Sequence, residues 1–144
     1  MGHNWQLVID CADPANLAAF WAEALGYTLQ PPPDGHESWT EFLDSIGVPA
    51  SEHNSASAIV DPEGIRPRIY FQRVPEAKSV KNRLHIDVPA SQGPDQALDD
   101  RIPLQDSARD RLVAAGATEV GPVHEHGSRW IVMRDPEGNE FCLT

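Results

Sequence analysis

The chain is short of positive charge, of cysteine and of long apolar runs, and each shortage excludes something. Its 144 residues hold 11 Lys and Arg against 22 Asp and Glu, a formal charge of -11. Such a surface repels phosphate backbones and anionic lipid, so neither nucleic acid nor membrane is an expected partner. No apolar run reaches the roughly 18 residues of a spanning helix, and Met1-Gly2-His3-Asn4-Trp5 carries neither a basic region nor a hydrophobic signal core. A cytoplasmic protein is expected. Two cysteines, Cys11 and Cys142, make no Cys-x-x-Cys pair and no disulfide framework, so reduced thiols are expected. A Gly-rich phosphate loop, a nucleophile elbow and a His-Glu-x-x-His pattern are all missing.

What is present is a repeated layout. Asp-Pro-Glu-Gly occurs at 61–64 and again at 135–138. The tetrad has β-turn chemistry: Asp caps its own backbone, Pro fixes φ, and Gly permits positive φ where the chain exits. Before the first copy, Gln6 to Cys11 alternates, with Leu7, Ile9 and Cys11 on one face and Gln6, Val8 and Asp10 on the other, as in a half-covered strand. Asp13-Pro14 then reads as an N-cap followed by Pro at the first helical position. Leu17, Phe20, Trp21, Ala24 and Leu25 recur at helical spacing up to the stop at Gly26. Tyr27-Thr28-Leu29 begins a second strand that Pro31-Pro32-Pro33 ends. Within 34–56, Trp39, Phe42, Leu43 and Ile46 predict a short inserted helix from Ser38 to Gly47. Ala58-Ile59-Val60 and Arg68 to Val74 form a hairpin about the first turn, with Tyr70 and Gln72 on the face opposite Ile69 and Phe71.

After a polar connector, Pro75 to Asn82, the pattern restarts. Leu84 to Val88 alternates, with His85 and Asp87 on the face opposite Leu84, Ile86 and Val88. Ser91 to Pro103 reads as an acidic excursion. Ala108, Leu112 and Ala115 mark a helix from Leu104, capped by Asp106 or Ser107 and stopped by Gly116. Ala114 to Val120 repeats the layout of Ala24 to Leu29, and strands at about 119–124, 129–134 and 139–144 complete the copy. The expected fold class is therefore α+β, a single domain over 1–144 made of two βαβββ modules, 5–75 and 83–144. Paired, such modules form an eight-stranded curved sheet, a cup with its helices outside.

This layout, with Asp-Pro-Glu-Gly-Asn before the last strand and Lys81 to Val88 opening the second half, resembles the vicinal oxygen chelate superfamily, and within it the glyoxalase-like domain group. The likeness runs from Gln6 to Leu143. It implies a small-molecule ligand held in the cup, with monomer and homodimer both open. It does not fix the activity, since the superfamily includes glyoxalase I, methylmalonyl-CoA epimerase, extradiol dioxygenases, thiol transferases that inactivate fosfomycin, and bleomycin-binding proteins that catalyse nothing. A lyase or isomerase working by proton transfer on a small oxygenated substrate is the expected function, and a metal-free sequestering protein of the bleomycin-resistance type is the alternative.

In metal-dependent members, four cup-facing side chains from the first and last strands of each half hold a divalent ion. By motif these positions fall on Gln6, Gln72, His85 and Cys142. His85, Gln6 and Gln72 are the candidate metal ligands, an incomplete set, because Cys142 stands where such enzymes usually carry Glu. In the first strand, aligning Leu7 with Leu84 puts Val8 rather than Gln6 opposite His85. Glu140 shares a face with Cys142 but lies about 7 Å along the strand and cannot stand in for it. His85, with Asp87 beside it, could be a ligand, a general base or a hydrogen-bonded histidine. Gln6, Tyr70, Gln72, Trp130 and Cys142 are the candidate substrate contacts, with Trp39 and Met133 as further candidate pocket walls. His124-Glu125-His126 offers two imidazoles on one strand face, which reads as a polar hairpin tip rather than a zinc site.

Overall fold

The computed structural model describes residues 2–144, and their elements run βαβββ twice. The first set is β1 (Leu7–Cys11), α1 (Pro14–Leu25), β2 (Thr28–Leu29), an inserted α2 (Trp39–Ser45) with a 3-10 turn at Ala50–Glu52, β3 (Ala56–Val60) and β4 (Ile69–Arg73). The second is β5 (Asp87–Val88), α3 (Leu98–Ala114), β6 (Thr118–Glu125), β7 (Ser128–Arg134) and β8 (Glu140–Leu143). Two compact units result, the first ending at Ala77 and the second beginning at Lys78. The eight expected strands are divided between two four-stranded sheets, one in each unit, ordered β1-β4-β3-β2 and β5-β8-β7-β6. In both, the outer pair is parallel and the neighbouring pair antiparallel. The fold is α+β, with the same topology written twice.

Local chemistry explains the first helix. Asp13 Oδ1 accepts from Asn16 N at 3.2 Å, Pro14 occupies the first turn, and Gly26 takes a left-handed φ of 68° while its N–H returns to Ala22 O. Leu17, Phe20, Trp21 and Ala24 are buried, and α1 packs on β3 and β4, where Ile59, Ile69 and Phe71 are buried too. Burying a side chain of this size contributes about 1.5–3 kcal/mol. Phe141 and Leu143 do the same for the second sheet. The inserted helix forms as its Ser38 start implies, with Ser38 Oγ accepting from Glu41 N at 3.1 Å, but none of its residues is buried.

Two elements differ from their sequence patterns. The second-module helix begins at Leu98 rather than Leu104, so Pro103 lies inside it and Asp106 is no cap. Polar anchors hold its first turns in place of apolar ones. Gln105 Nε2 donates to Arg129 O at 2.9 Å, Arg129 Nη1 donates to Gln105 Oε1 at 2.8 Å, and Arg129 Nη2 meets Asp106 Oδ1 at 2.7 Å. Gln105, Arg129 and Arg101 are all buried. The strand expected over Leu84 to Val88 shrinks to Asp87–Val88, because the ladder with β8 reaches back only as far as Ile86 O, which accepts from Cys142 N at 3.1 Å. Leu84 is 82% exposed.

Both Asp-Pro-Glu-Gly segments are turns built on a buried Asp. Asp61 accepts from the backbone N–H groups of Glu63, Ile65 and Arg66 at 3.2, 3.1 and 2.8 Å. The Arg66 N–H above all, with those of Glu63 and Ile65 and the Arg66 guanidinium, holds its carboxyl below the usual range despite burial. Asp135 Oδ1 accepts from Glu137 N and Asn139 N, each at 2.9 Å, and Asn139 Nδ2 donates to both its oxygens. Gly64 and Gly138 supply positive φ, 68° and 85°. The second turn also braces the end of α3: Gly116 has φ of 115°, and a Cβ there would sit 3.2 Å from Pro136 Cγ. Gly116→Ala is expected to cost about 1–3 kcal/mol, seen as a lower urea midpoint with an unchanged slope.

Candidate active site

The parallel pairs let the two modules be aligned residue by residue. Val74 N donates to Cys11 O at 2.9 Å and Thr144 N donates to Val88 O at 3.0 Å, so Cys11 corresponds to Val88 and Val74 to Thr144. Counting back along the strands, Asp10 corresponds to Asp87, Val8 to His85, and Gln72 to Cys142. Val8, not Gln6, is thus the first-module equivalent of His85. Alignment of Leu7 with Leu84 offers Val8 beside Gln6, and these hydrogen bonds decide for Val8.

In the second module, three reactive side chains converge. His85 and Asp87 leave the chain on one face, and Asp87 lies directly opposite Cys142 in the β5–β8 register. His85 Nε2 is 3.4 Å from Asp87 Oδ1, and the two side chains are 47% and 59% exposed. One donor atom each from His85, Asp87 and Cys142 all lie within 4.8 Å of one another. Burial, and after it the charge of Asp87, push the Cys142 thiol up from its ordinary value, against a smaller opposing pull from Lys81. At neutral pH the group is a thiol, a poor nucleophile. The scaffold behind these groups is firm, since Val88, Phe141 and Leu143 on the other face are buried.

Glu140 is committed elsewhere. Its Oε2 accepts from Asn82 N at 3.0 Å and meets Lys78 Nζ at 3.3 Å. The Asn82 N–H outweighs burial and, helped by Lys78, brings the carboxyl from 4.5 down to about 2. A depressed carboxyl adds stability above its unfolded pKa and loses it as pH falls towards the folded one, so this contribution disappears between about pH 4.5 and pH 2. Glu140→Gln should flatten acid unfolding across that window and cost roughly 1–2 kcal/mol at pH 7, which chemical denaturation at a series of pH values would measure.

The remaining sequence candidates occupy distinct places. Gln6 precedes β1, and its Oε1 accepts from Arg68 Nη1 at 2.8 Å. Gln72 is exposed and opposite Asp10; four residues of register separate it from Gln6, about 13 Å of strand, so the two amides do not converge. Tyr70 is half-buried opposite Val8, with the Arg68 guanidinium 5.1 Å from its ring centre. Trp130, also half-buried, lies on β7 two residues from Val132, the residue opposite Cys142, and so shares that face. Trp39 donates Nε1–H to Gln30 O at 2.7 Å, and Met133 is core. His126 and Gly127, with φ of 50° and 76°, form the two-residue tip between Glu125 and Ser128, and the His126 side chain is 91% exposed. That is the polar hairpin tip its sequence suggested.

These placements decide how well a hard divalent cation would fit. The four equivalent strand positions are Val8, Gln72, His85 and Cys142. One has no donor atom and none is a carboxylate. With Gln6 bonded to Arg68 and Glu140 to Asn82 and Lys78, the set is not the oxygen-rich one that Mg²⁺ or Mn²⁺ prefers.

Each unit carries the βαβββ topology, and the two sheets follow the same strand order. Residues 6–144 match the glyoxalase-like domain, and the chain belongs to that family. Among solved structures it is similar to a glyoxalase/bleomycin resistance protein/dioxygenase family enzyme from Burkholderia phytofirmans PsJN, at 18% identity and a TM-score of 0.59 over 96% of this chain and 94% of that one. The fosfomycin resistance protein FosX from Mesorhizobium loti is 11% identical with a TM-score of 0.61, covering 99% and 90%. The oxidase ChaP-H2 is 16% identical with a TM-score of 0.57, covering 99% and 91%. At these identities the likeness is one of fold. No curated protein sequence matches the chain significantly.

Proposed function

We propose that the protein binds a small oxygenated molecule on the open face of its second sheet and moves a proton on it, as a lyase or isomerase does. One observation carries this reading: the half-exposed His85–Asp87 pair at 3.4 Å, beside the neutral Cys142 thiol. Asp87 Oδ1 stands 3.4 Å from Nε2, and a proton held on Nε2 facing that carboxylate leaves the Nδ1 lone pair for a substrate proton. Asp87 also faces the positive charge that the ring acquires. Cys142 contributes a weak hydrogen-bond donor, and Trp130 an apolar wall. On the first module, taken by itself, Tyr70 and Gln72 present a hydroxyl and an amide on one strand face. Gln6, held by Arg68, supports that edge. The experiment is exchange of α-protons with solvent deuterium, followed by NMR, across a panel of small hydroxy ketones and 2-oxo acids. Catalysed exchange that persists as salt is raised supports the reading, and its absence from the whole panel counts against it.

The excess of 22 acidic over 11 basic residues favours a second reading, sequestration of a cationic compound without chemistry. Binding of that kind weakens clearly as ionic strength rises, so the same salt series separates the two.

A further inference from the structure

The failure of the second module to offer a hard-cation set has a positive side. His85, Asp87 and Cys142 supply one nitrogen, one carboxylate oxygen and one sulfur from two directly paired strands, with donor atoms no more than 4.8 Å apart. Ligands of a tetrahedral zinc ion at about 2.0–2.3 Å lie roughly 3.3–3.8 Å from each other. The His85–Asp87 contact of 3.4 Å already meets that spacing. For the sulfur, a rotamer adjustment of about 1 Å closes the rest, over a β8 whose other face is fixed in the core. Neutral imidazole, carboxylate and thiolate together balance a double positive charge. Sulfur among the donors selects thiophilic ions over Mg²⁺ and Ca²⁺. With His85 and Asp87 about half exposed, a fourth position stays open to water or a ligand oxygen.

We propose that His85, Asp87 and Cys142 form a single-module site for a thiophilic divalent ion, Zn²⁺ in the first instance, that needs no donor from the first module. The equivalent first-module residues, Val8, Asp10 and Gln72, could not build its twin, having neither imidazole nor sulfur. Uptake converts the Cys142 S–H bond into an S–Zn bond and sends one proton to solvent. The site does not depend on the proton-transfer reading. Should both hold, they compete, because an ion bound by the imidazole occupies a ring nitrogen and the Asp87 oxygen that the base needs.

Cobalt(II) serves as the probe. Titrated into chelator-treated, full-length protein, Co²⁺ should give a sulfur-to-cobalt charge-transfer absorption that saturates at one ion per chain. Zn²⁺ should bleach it, and excess Mg²⁺ should leave it unchanged. Cys142→Ser should abolish the band, while His85→Ala and Asp87→Asn, at exposed positions where the fold should tolerate change, should each weaken binding by roughly tenfold or more. The proposal is overturned if no charge-transfer band appears, if the band survives Cys142→Ser, or if His85→Ala and Asp87→Asn both bind Co²⁺ like the parent. Deuterium exchange reads the other function separately, so either can fail without the other.

Discussion

Replacing Asp135 by Ala is expected to lower stability by about 3–4 kcal/mol, the largest loss foreseen for any polar residue here. The residue is 3% exposed. Its carboxylate is the acceptor for Glu137 N, Asn139 N and the Asn139 amide, all between 2.9 and 3.1 Å. Alanine removes the acceptor and leaves these donors inside the turn, where each unpaired group costs on the order of 1–3 kcal/mol unless water reaches it. The same turn sets the register of β7 with β8, and Pro136 within it occupies the space that a Cβ at Gly116, beyond the end of α3, would need. For a chain of this length the loss corresponds to a melting temperature lower by roughly 8–15 °C. Asp135→Asn keeps one oxygen acceptor and should lose about half as much. A scanning calorimetry series of the two variants checks this, and equal melting temperatures for Asp135→Ala and the parent would show the turn to be carried by Pro136 and Gly138 alone.

His85→Ala is expected to slow catalysed proton exchange by about 10²- to 10⁴-fold, the range for loss of a positioned general base, with little change in melting temperature. Stability should hold because the side chain is nearly half exposed and lies just before the short β5. Asp87→Asn should slow exchange less, since the ring remains while its orientation and charge balance suffer. Combined, the two changes should cost scarcely more than His85→Ala alone, because Asp87 acts through the imidazole. Additive losses would mean that Asp87 meets the substrate by itself.

The fold was largely legible because its strongest signals are local. Asp13-Pro14 with Gly26, Ser38 before a short helix, and the duplicated Asp-Pro-Glu-Gly each carry their own geometry within a few residues. What stayed hidden depends on partners distant in sequence. The true start of α3 rests on buried Gln105, Arg101 and Arg129, which apolar periodicity ignores and which let Pro103 sit inside a helix. The length of β5 depends on where β8 stops offering partners, and alternation at Leu84 cannot report that. At the site, His85, Asp87 and Cys142 were readable from alternation and the second turn. The choice between Gln6 and Val8 was not, until the hydrogen bonds from Val74 and Thr144 fixed the correspondence. Strand spacing alone set Glu140 aside, but only its bonds to Asn82 and Lys78 show what it does instead.

The most direct measurement for the central claim is chemical rescue of His85→Gly by added imidazole, read as deuterium incorporation into a panel compound that the parent protein exchanges. The partly open position of His85 leaves room for a free imidazole beside Asp87. Exchange should be lost in the variant and should return in proportion to imidazole concentration. A folded His85→Gly protein that exchanges at the parent rate without imidazole would contradict the account.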